Sequence, residues 1–154
     1  MPAYFFDSAA IVKRYVNEQG SDWVTATANA KTGAHVYVAA ISGVEVVATF
    51  ARKLKGNRLN TLDAGAAISR FHHDFAHQYL IVGIGDAVIT RSMAMAETHA
   101  LRGYDAVQLG AALEVNGRRL ALGATRPLIL VTADSDLLSA AAAEGLLTDD
   151  PNSY

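Results

Sequence analysis

Short apolar runs rich in β-branched or aromatic residues recur between longer stretches of helical periodicity. That alternation constrains the fold more than any other feature of the chain. The runs are Ala3–Phe6, His35–Ala39, Tyr79–Val82 and Leu128–Thr132. Each is apolar at successive positions, which predicts strands covered on both faces, as in a parallel sheet. Helical patterns fill the intervals, at Ala9–Val16, Asp22–Ala30, Ile41–Lys55, Thr61–His77, Asp86–His99, Tyr104–Asn116 and Asp136–Glu144. Ser21 and Asn60 stand where N-caps are expected, and Gly20, Gly33, Gly56, Gly117 and Gly145 fall near helix ends. Strands alternating with helices predict an α/β domain with a central, mostly parallel sheet and right-handed crossovers. The expected domain is 1–147, and 148–154 reads as a polar, frayed C-terminal tail.

Size and composition agree with one independent core. The 154 residues are 51% hydrophobic and 18% charged, outside the range of disordered chains. With no cysteine, disulfides, thiolate metal sites and a cysteine nucleophile are all excluded. The segment "MPAYFFD" lacks the basic region and long apolar core of a signal peptide, and no apolar stretch is long enough to span a membrane. These features fit a cytoplasmic protein. The net charge of −2 gives no overall attraction for nucleic acid, so any such contact must come from local clusters such as Lys13–Arg14 and Arg52–Lys53.

The acids are placed less evenly than their number suggests. Asp7 follows the first strand directly, and Asp134 follows "LILVT" after a single alanine. Ligands of parallel sheets bind beyond the carboxyl ends of the strands, and both acids belong to that edge. Each could equally cap the helix that follows it. Glu45 faces away from the apolar stripe of Val46, Val47, Phe50 and Leu54, and a carboxylate near a helix N-terminus is favoured by the dipole. Asp105 lies on a helix that is apolar nearly all round, where an unpaired carboxylate carries a desolvation penalty. Two like charges 4 Å apart repel by roughly 4 kcal/mol at an effective dielectric of 20, so clustered acids call for protons or cations. Carboxylate oxygens without cysteine suit Mg²⁺ or Mn²⁺, and those ions point to phosphoryl chemistry. The segment "FHHDFAH" offers a rival metal site through His73 and His77, but it reads more simply as the polar face of a helix.

The segments "YFFDSAAIVKRYV", "ISGVEVVATF", "LRGYDAVQLGAAL" and "LILVTADSDLLSAAAAEGL", in this order, resemble the motifs of PIN-domain ribonucleases, and in particular the VapC-type toxins of bacterial toxin–antitoxin pairs. The resemblance implies a PIN-like three-layer α/β/α sandwich. It implies Asp7, Glu45, Asp105 and Asp134 as the catalytic acids, with Mg²⁺ or Mn²⁺ held by Asp7, Asp105 and Asp134. Asp136 matches a position that helps to hold metal in some relatives, and Ser8 and Thr132 match small hydroxyl residues that steady the site. The implied activity is a metal-dependent endoribonuclease that cleaves RNA phosphodiesters with a metal-activated water. Lys13, Arg14, Arg52 and Lys53 are the expected contacts to the RNA backbone. A VapB-like antitoxin and a homodimer are implied as partners. Two alternatives remain open: a non-catalytic RNA- or protein-binding module, and an aspartyl phosphotransferase using Asp7. The latter lacks its usual second acid, because Ala9 stands there.

Overall fold

The computed structural model describes all residues, Met1–Tyr154. Five strands, β1 (Ala3–Phe6), β2 (His35–Ala39), β3 (Leu80–Val82), β4 (Ile129–Val131) and β5 (Leu147–Asp149), form one sheet in the order β3-β2-β1-β4-β5. Every neighbouring pair is parallel. β1 is central, with Phe6 opposite Val38 on one side and Val131 on the other.

Successive side chains of a strand point to opposite faces, and this divides the core in two. Phe5 and Leu130 join one cluster of 16 buried residues with Val88, Leu109 and Leu137. Phe6, Val38 and Val131 join a second cluster of 16 with Ile11, Val46, Phe50 and Phe71. The first face is therefore covered by α5 (Asp86–His99), α6 (Gly103–Ala121) and α7 (Ser135–Ala143). The second is covered by α1 (Ser8–Val12), α2 (Ser21–Thr27), α3 (Ala40–Lys55) and α4 (Thr61–His77). The outcome is the expected three-layer α/β/α sandwich, with a wholly parallel sheet.

Several local expectations are revised. Asn60 caps α4, accepting the Asp63 N–H at 2.7 Å. Ser21 caps nothing: its hydroxyl accepts from the Glu18 N–H and donates to the Val16 carbonyl. Gly20 takes the cap position of α2 at φ +82°. There a Cβ would also stand 2.1 Å from the Pro151 carbonyl oxygen, so strain and space both demand glycine. Gly117 does not end α6, which runs on through Arg118 and Arg119 to Ala121.

The expected tail is corrected most. Thr148 and Asp149 belong to β5, paired with Leu130 and Val131, and Asp149 accepts the Thr132 N–H at 3.1 Å. Beyond the strand Pro151 is buried, and the Tyr154 ring stacks on Trp23 with centroids 4.6 Å apart. Residues 148–154 thus complete the sheet edge and anchor it to α2; they are part of the domain.

Candidate active site

Because β1 and β4 are adjacent and parallel, their carboxyl ends deliver Asp7 and Thr132 side by side. The Asp7 N–H continues the ladder to the Val131 carbonyl at 3.1 Å, and the Asp7 side chain turns into the helix that follows. Its Oδ1 accepts the Ala10 N–H at 2.8 Å, capping α1, while Oδ2 accepts the hydroxyl of the fully buried Thr132. The Thr132 oxygen in turn accepts the Asp134 N–H at 3.1 Å, and Asp134 caps α7 through the Leu137 N–H at 2.9 Å. One threonine therefore fixes the distance between the two acids that end β1 and β4.

Electrostatics joins the other acids to this pair. Burial pushes the Asp7 carboxyl up to about 6, and the charges of Asp105 and Asp134 add to it against the bonds from Thr132 and Ala10. Asp105 stands in the first turn of α6, and burial raises it too. The charges of Asp134 and Asp136 push the same way, and the Arg102 guanidinium opposes them. Arg102 spans the cleft mouth: Nε lies 3.5 Å from Asp105 Oδ2 and Nη2 lies 3.5 Å from Asp134 Oδ2. Glu45 is half-buried on α3. Burial raises the Tyr104 phenol, and the nearby charge of Glu45 raises it further.

Asp7, Asp105, Asp134 and Asp136 thus share one negatively charged hollow at the carboxyl edge of the sheet. No three His, Asp or Glu side chains stand close enough in this arrangement to form a metal-binding cluster. The carboxylates are already engaged within the protein. Asp7 Oδ1 and Asp134 Oδ1 are spent on helix caps, Asp7 Oδ2 takes the Thr132 hydroxyl, and Arg102 already draws Asp105 and Asp134. The donor chemistry nonetheless fits a hard divalent cation, being all carboxylate oxygen around a buried acid whose ionisation is disfavoured.

The expected RNA contacts need correction. Lys13 is 7% exposed and pairs with Glu18 at 3.4 Å. Arg14 is also turned inward, to Asp74 at 3.5 Å, Gln78 Oε1 at 2.9 Å and the Tyr79 hydroxyl at 2.7 Å. Both cations are consumed in holding α1 to its neighbours and are withdrawn as docking residues. Lys53 pairs with Glu18 at 3.2 Å, and Arg52 remains exposed. The rival histidine site also fails. The His73 and His77 rings lie tilted with centroids 4.8 Å apart, but Asp74 points inward to Tyr15 and Arg14.

Thr132 bonds to Asp7, and Ser8 follows Asp7 in the chain and bonds to Ser42 and Tyr104. Sequence reasoning missed Arg102, and it missed Tyr104 and Gln108, which bond to Ser8 and Ser42 behind the acids. The one available signal was a glutamine in the otherwise apolar stretch "AVQLGAAL". A separate hollow of about 750 Å³ lies at the opposite edge of the sheet, between Met1, His35, Arg119, Arg126 and Leu147, and contains none of these acids.

No protein-family model matches the chain, and no curated protein matches it. Solved structures do. A chain of a toxin–antitoxin complex from Klebsiella pneumoniae superposes with a TM-score of 0.64 at 15% identity, covering 96% of this chain and 97% of that one. FitAcB from Neisseria gonorrhoeae gives 0.62 at 16% identity, covering 96% and 97%. The fold is PIN-like. VapBC2 from Rickettsia felis, bound to a DNA fragment from its promoter, adds 0.60 at 11% identity with 96% and 98% coverage. In each case the match covers nearly the full length of both chains.

Proposed function

We propose that the chain is a metal-dependent endoribonuclease and the toxin component of a type II toxin–antitoxin pair. The observation that carries this reading is Asp7: a buried carboxylate at the carboxyl edge of a PIN-like sheet, made harder to ionise by Asp105 and Asp134. Positive charge beside such an acid relieves the cost of its ionisation. Asp7, Asp105 and Asp134 would hold Mg²⁺ or Mn²⁺, with Asp136 at the rim. When bound, the cation supplies Lewis-acid activation of water and charge stabilisation at the phosphate. Thr132 keeps the Asp7 carboxylate oriented toward the hollow. Glu45 aligns the attacking water and takes its proton, and Arg102 offers a guanidinium to a backbone phosphate.

The partners follow from the same reading. The likeness to chains of toxin–antitoxin complexes supports a small co-encoded antitoxin that covers the cleft, and the toxin itself is proposed to act as a cytoplasmic homodimer. Pull-down from the native host should recover that antitoxin.

One observation favours the non-catalytic alternative: Arg102 already bridges two of the acids, and a protein-binding module needs no cation there. The deciding experiment incubates purified protein with total RNA in Mg²⁺, Mn²⁺ or EDTA and maps the new ends. The expected result is discrete cleavage with 5′-phosphate and 3′-hydroxyl ends, abolished by EDTA and by Asp7→Asn or Asp105→Asn in folded protein. Wild-type cleavage by either variant, or none by the wild type with either ion, defeats the nuclease assignment.

A further inference from the structure

Behind the acids, four side chains close a ring of hydrogen bonds. Gln108 Nε2 donates to the Tyr104 hydroxyl at 2.8 Å and to Ser42 Oγ at 2.9 Å. Ser8 Oγ donates to Ser42 Oγ at 2.9 Å, and the Ser8 and Tyr104 hydroxyls bond to each other. Ser8 has one proton and gives it to Ser42, so Tyr104 must be the donor in the last link. The ring then runs from Gln108 through Tyr104 and Ser8 to Ser42, with Gln108 closing it directly. Turning the Gln108 amide over would leave three hydroxyl protons for four links, so the ring closes only with Nε2 facing Tyr104 and Ser42.

Three of the four members are near neighbours in the chain of a proposed catalytic acid. Ser8 follows Asp7 at the start of α1, Ser42 lies one turn before Glu45 on α3, and Tyr104 precedes Asp105 on α6. Three helices from both sides of the sheet are thereby tied at the ends that present the acids. Most of the ring is buried: Gln108 and Ser42 have no exposure, Ser8 has 7% and Tyr104 is half-buried.

Stability alone does not account for the glutamine. Gln108 Oε1 is buried with no partner, and either orientation of the amide leaves one of its two heteroatoms unmatched. An unmatched buried polar atom is destabilising, and a leucine would fill similar space without one. Buried polar groups that break the local rules in this way are expected where a site must be held in register.

We propose that Tyr104 and Gln108 are positioning residues that set the spacing of Asp7, Glu45 and Asp105 for a divalent cation, acting with Ser8 and Ser42 as a single unit. The proposal rests on the metal-binding reading of those acids. Outer partners of ligating carboxylates typically change metal affinity by about 10–100-fold.

The test is calorimetric titration of Mn²⁺ into the full-length wild type, Tyr104→Phe, Gln108→Leu and the double variant, with thermal melts of each in EDTA. Each single change should weaken Mn²⁺ binding about tenfold. The double change should weaken it no further, because a ring opened once is already open. Gln108→Leu should melt at or above the wild type in EDTA, whereas a merely structural glutamine would lower the melting point. Should Gln108→Leu not fold, Tyr104→Phe removes one hydroxyl with the ring shape kept and suffices. Affinities within twofold of wild type, or single losses that multiply in the double variant, would overturn the proposal. Absence of Mn²⁺ binding by the wild type would overturn the metal reading and this inference together.

Discussion

Asp7 performs two tasks with one carboxylate, capping α1 and closing the acidic hollow, and its proton affinity records the conflict. Its acidity is displaced from 3.8 to about 6 in the folded chain. The folded state therefore holds this proton more tightly than the unfolded state. The stabilisation from the neutral acid is full below about pH 3.8 and is lost as pH rises through about 6. At neutral pH the buried charge costs about 3 kcal/mol when no cation is present. Asn caps helices as well as Asp does, and its amide can donate to a reoriented Thr132 hydroxyl. In EDTA, Asp7→Asn should therefore gain about 2 kcal/mol over the wild type between pH 4 and pH 7.5. Urea denaturation at the two values measures it, and parallel pH profiles for the two proteins would refute it. Arg102 makes the complementary case. Its side chain is 83% exposed, so its bonds to Asp105 and Asp134 contribute at most about 1 kcal/mol to stability. It still competes with any cation for those two acids. Arg102→Gln should tighten Mn²⁺ binding about threefold to fivefold while the melting point in EDTA barely falls. Weaker binding in that variant would show that Arg102 assists the ion.

Helices and strands differ in how openly the sequence declares them. Ala3–Phe6 and His35–Ala39 were legible to the residue because they are unbroken apolar runs rich in aromatic or β-branched side chains. β5 was not, since Leu147–Asp149 is short, half polar and at the sheet edge, where one face needs no apolar cover. The same limit applied to the site. Asp7 and Asp134 were legible because strand ends were legible. Tyr104, Gln108 and Arg102 meet their partners only after α6 has packed, across sequence separations of 96, 66 and 32 residues. Lys13 and Arg14 read as surface cations because charge usually marks exposure, whereas the turn that ends α1 holds both among acids and phenols. The α5–α6 contact offers a direct check on how tightly α6 is held. A Cβ at Gly110 would lie 2.1 Å from Ser92 Oγ and 3.0 Å from the Ser92 backbone nitrogen. Gly110→Ala must push the two helices apart and should destabilise the chain by about 1–3 kcal/mol in chemical denaturation. Because α6 carries Asp105 and Tyr104, cation affinity should fall with it. A neutral substitution would mean that the interface yields easily.

At the scale of the whole molecule, the domain is finished by its last residues. β5 covers the outer edge of β4, Asp149 takes the Thr132 N–H, and Pro151 and Tyr154 pack onto Gly20 and Trp23. A chain ending at Leu146 would leave β4 as an open edge beside the site. It should melt about 5–15 °C below the intact protein and aggregate on heating, as followed by circular dichroism and light scattering. An unchanged melting curve would return residues 148–154 to the status of a tail.

The central place of β1 has one more consequence, in the order of synthesis. The strand that bears Asp7 is made 125 residues before Thr132, yet Phe6 lies against Val131 and Thr132 bonds back to Asp7. A nascent chain thus exposes Asp7 long before the residues that orient it have been made, and whatever chemistry these acids perform begins only once β4 has joined β1.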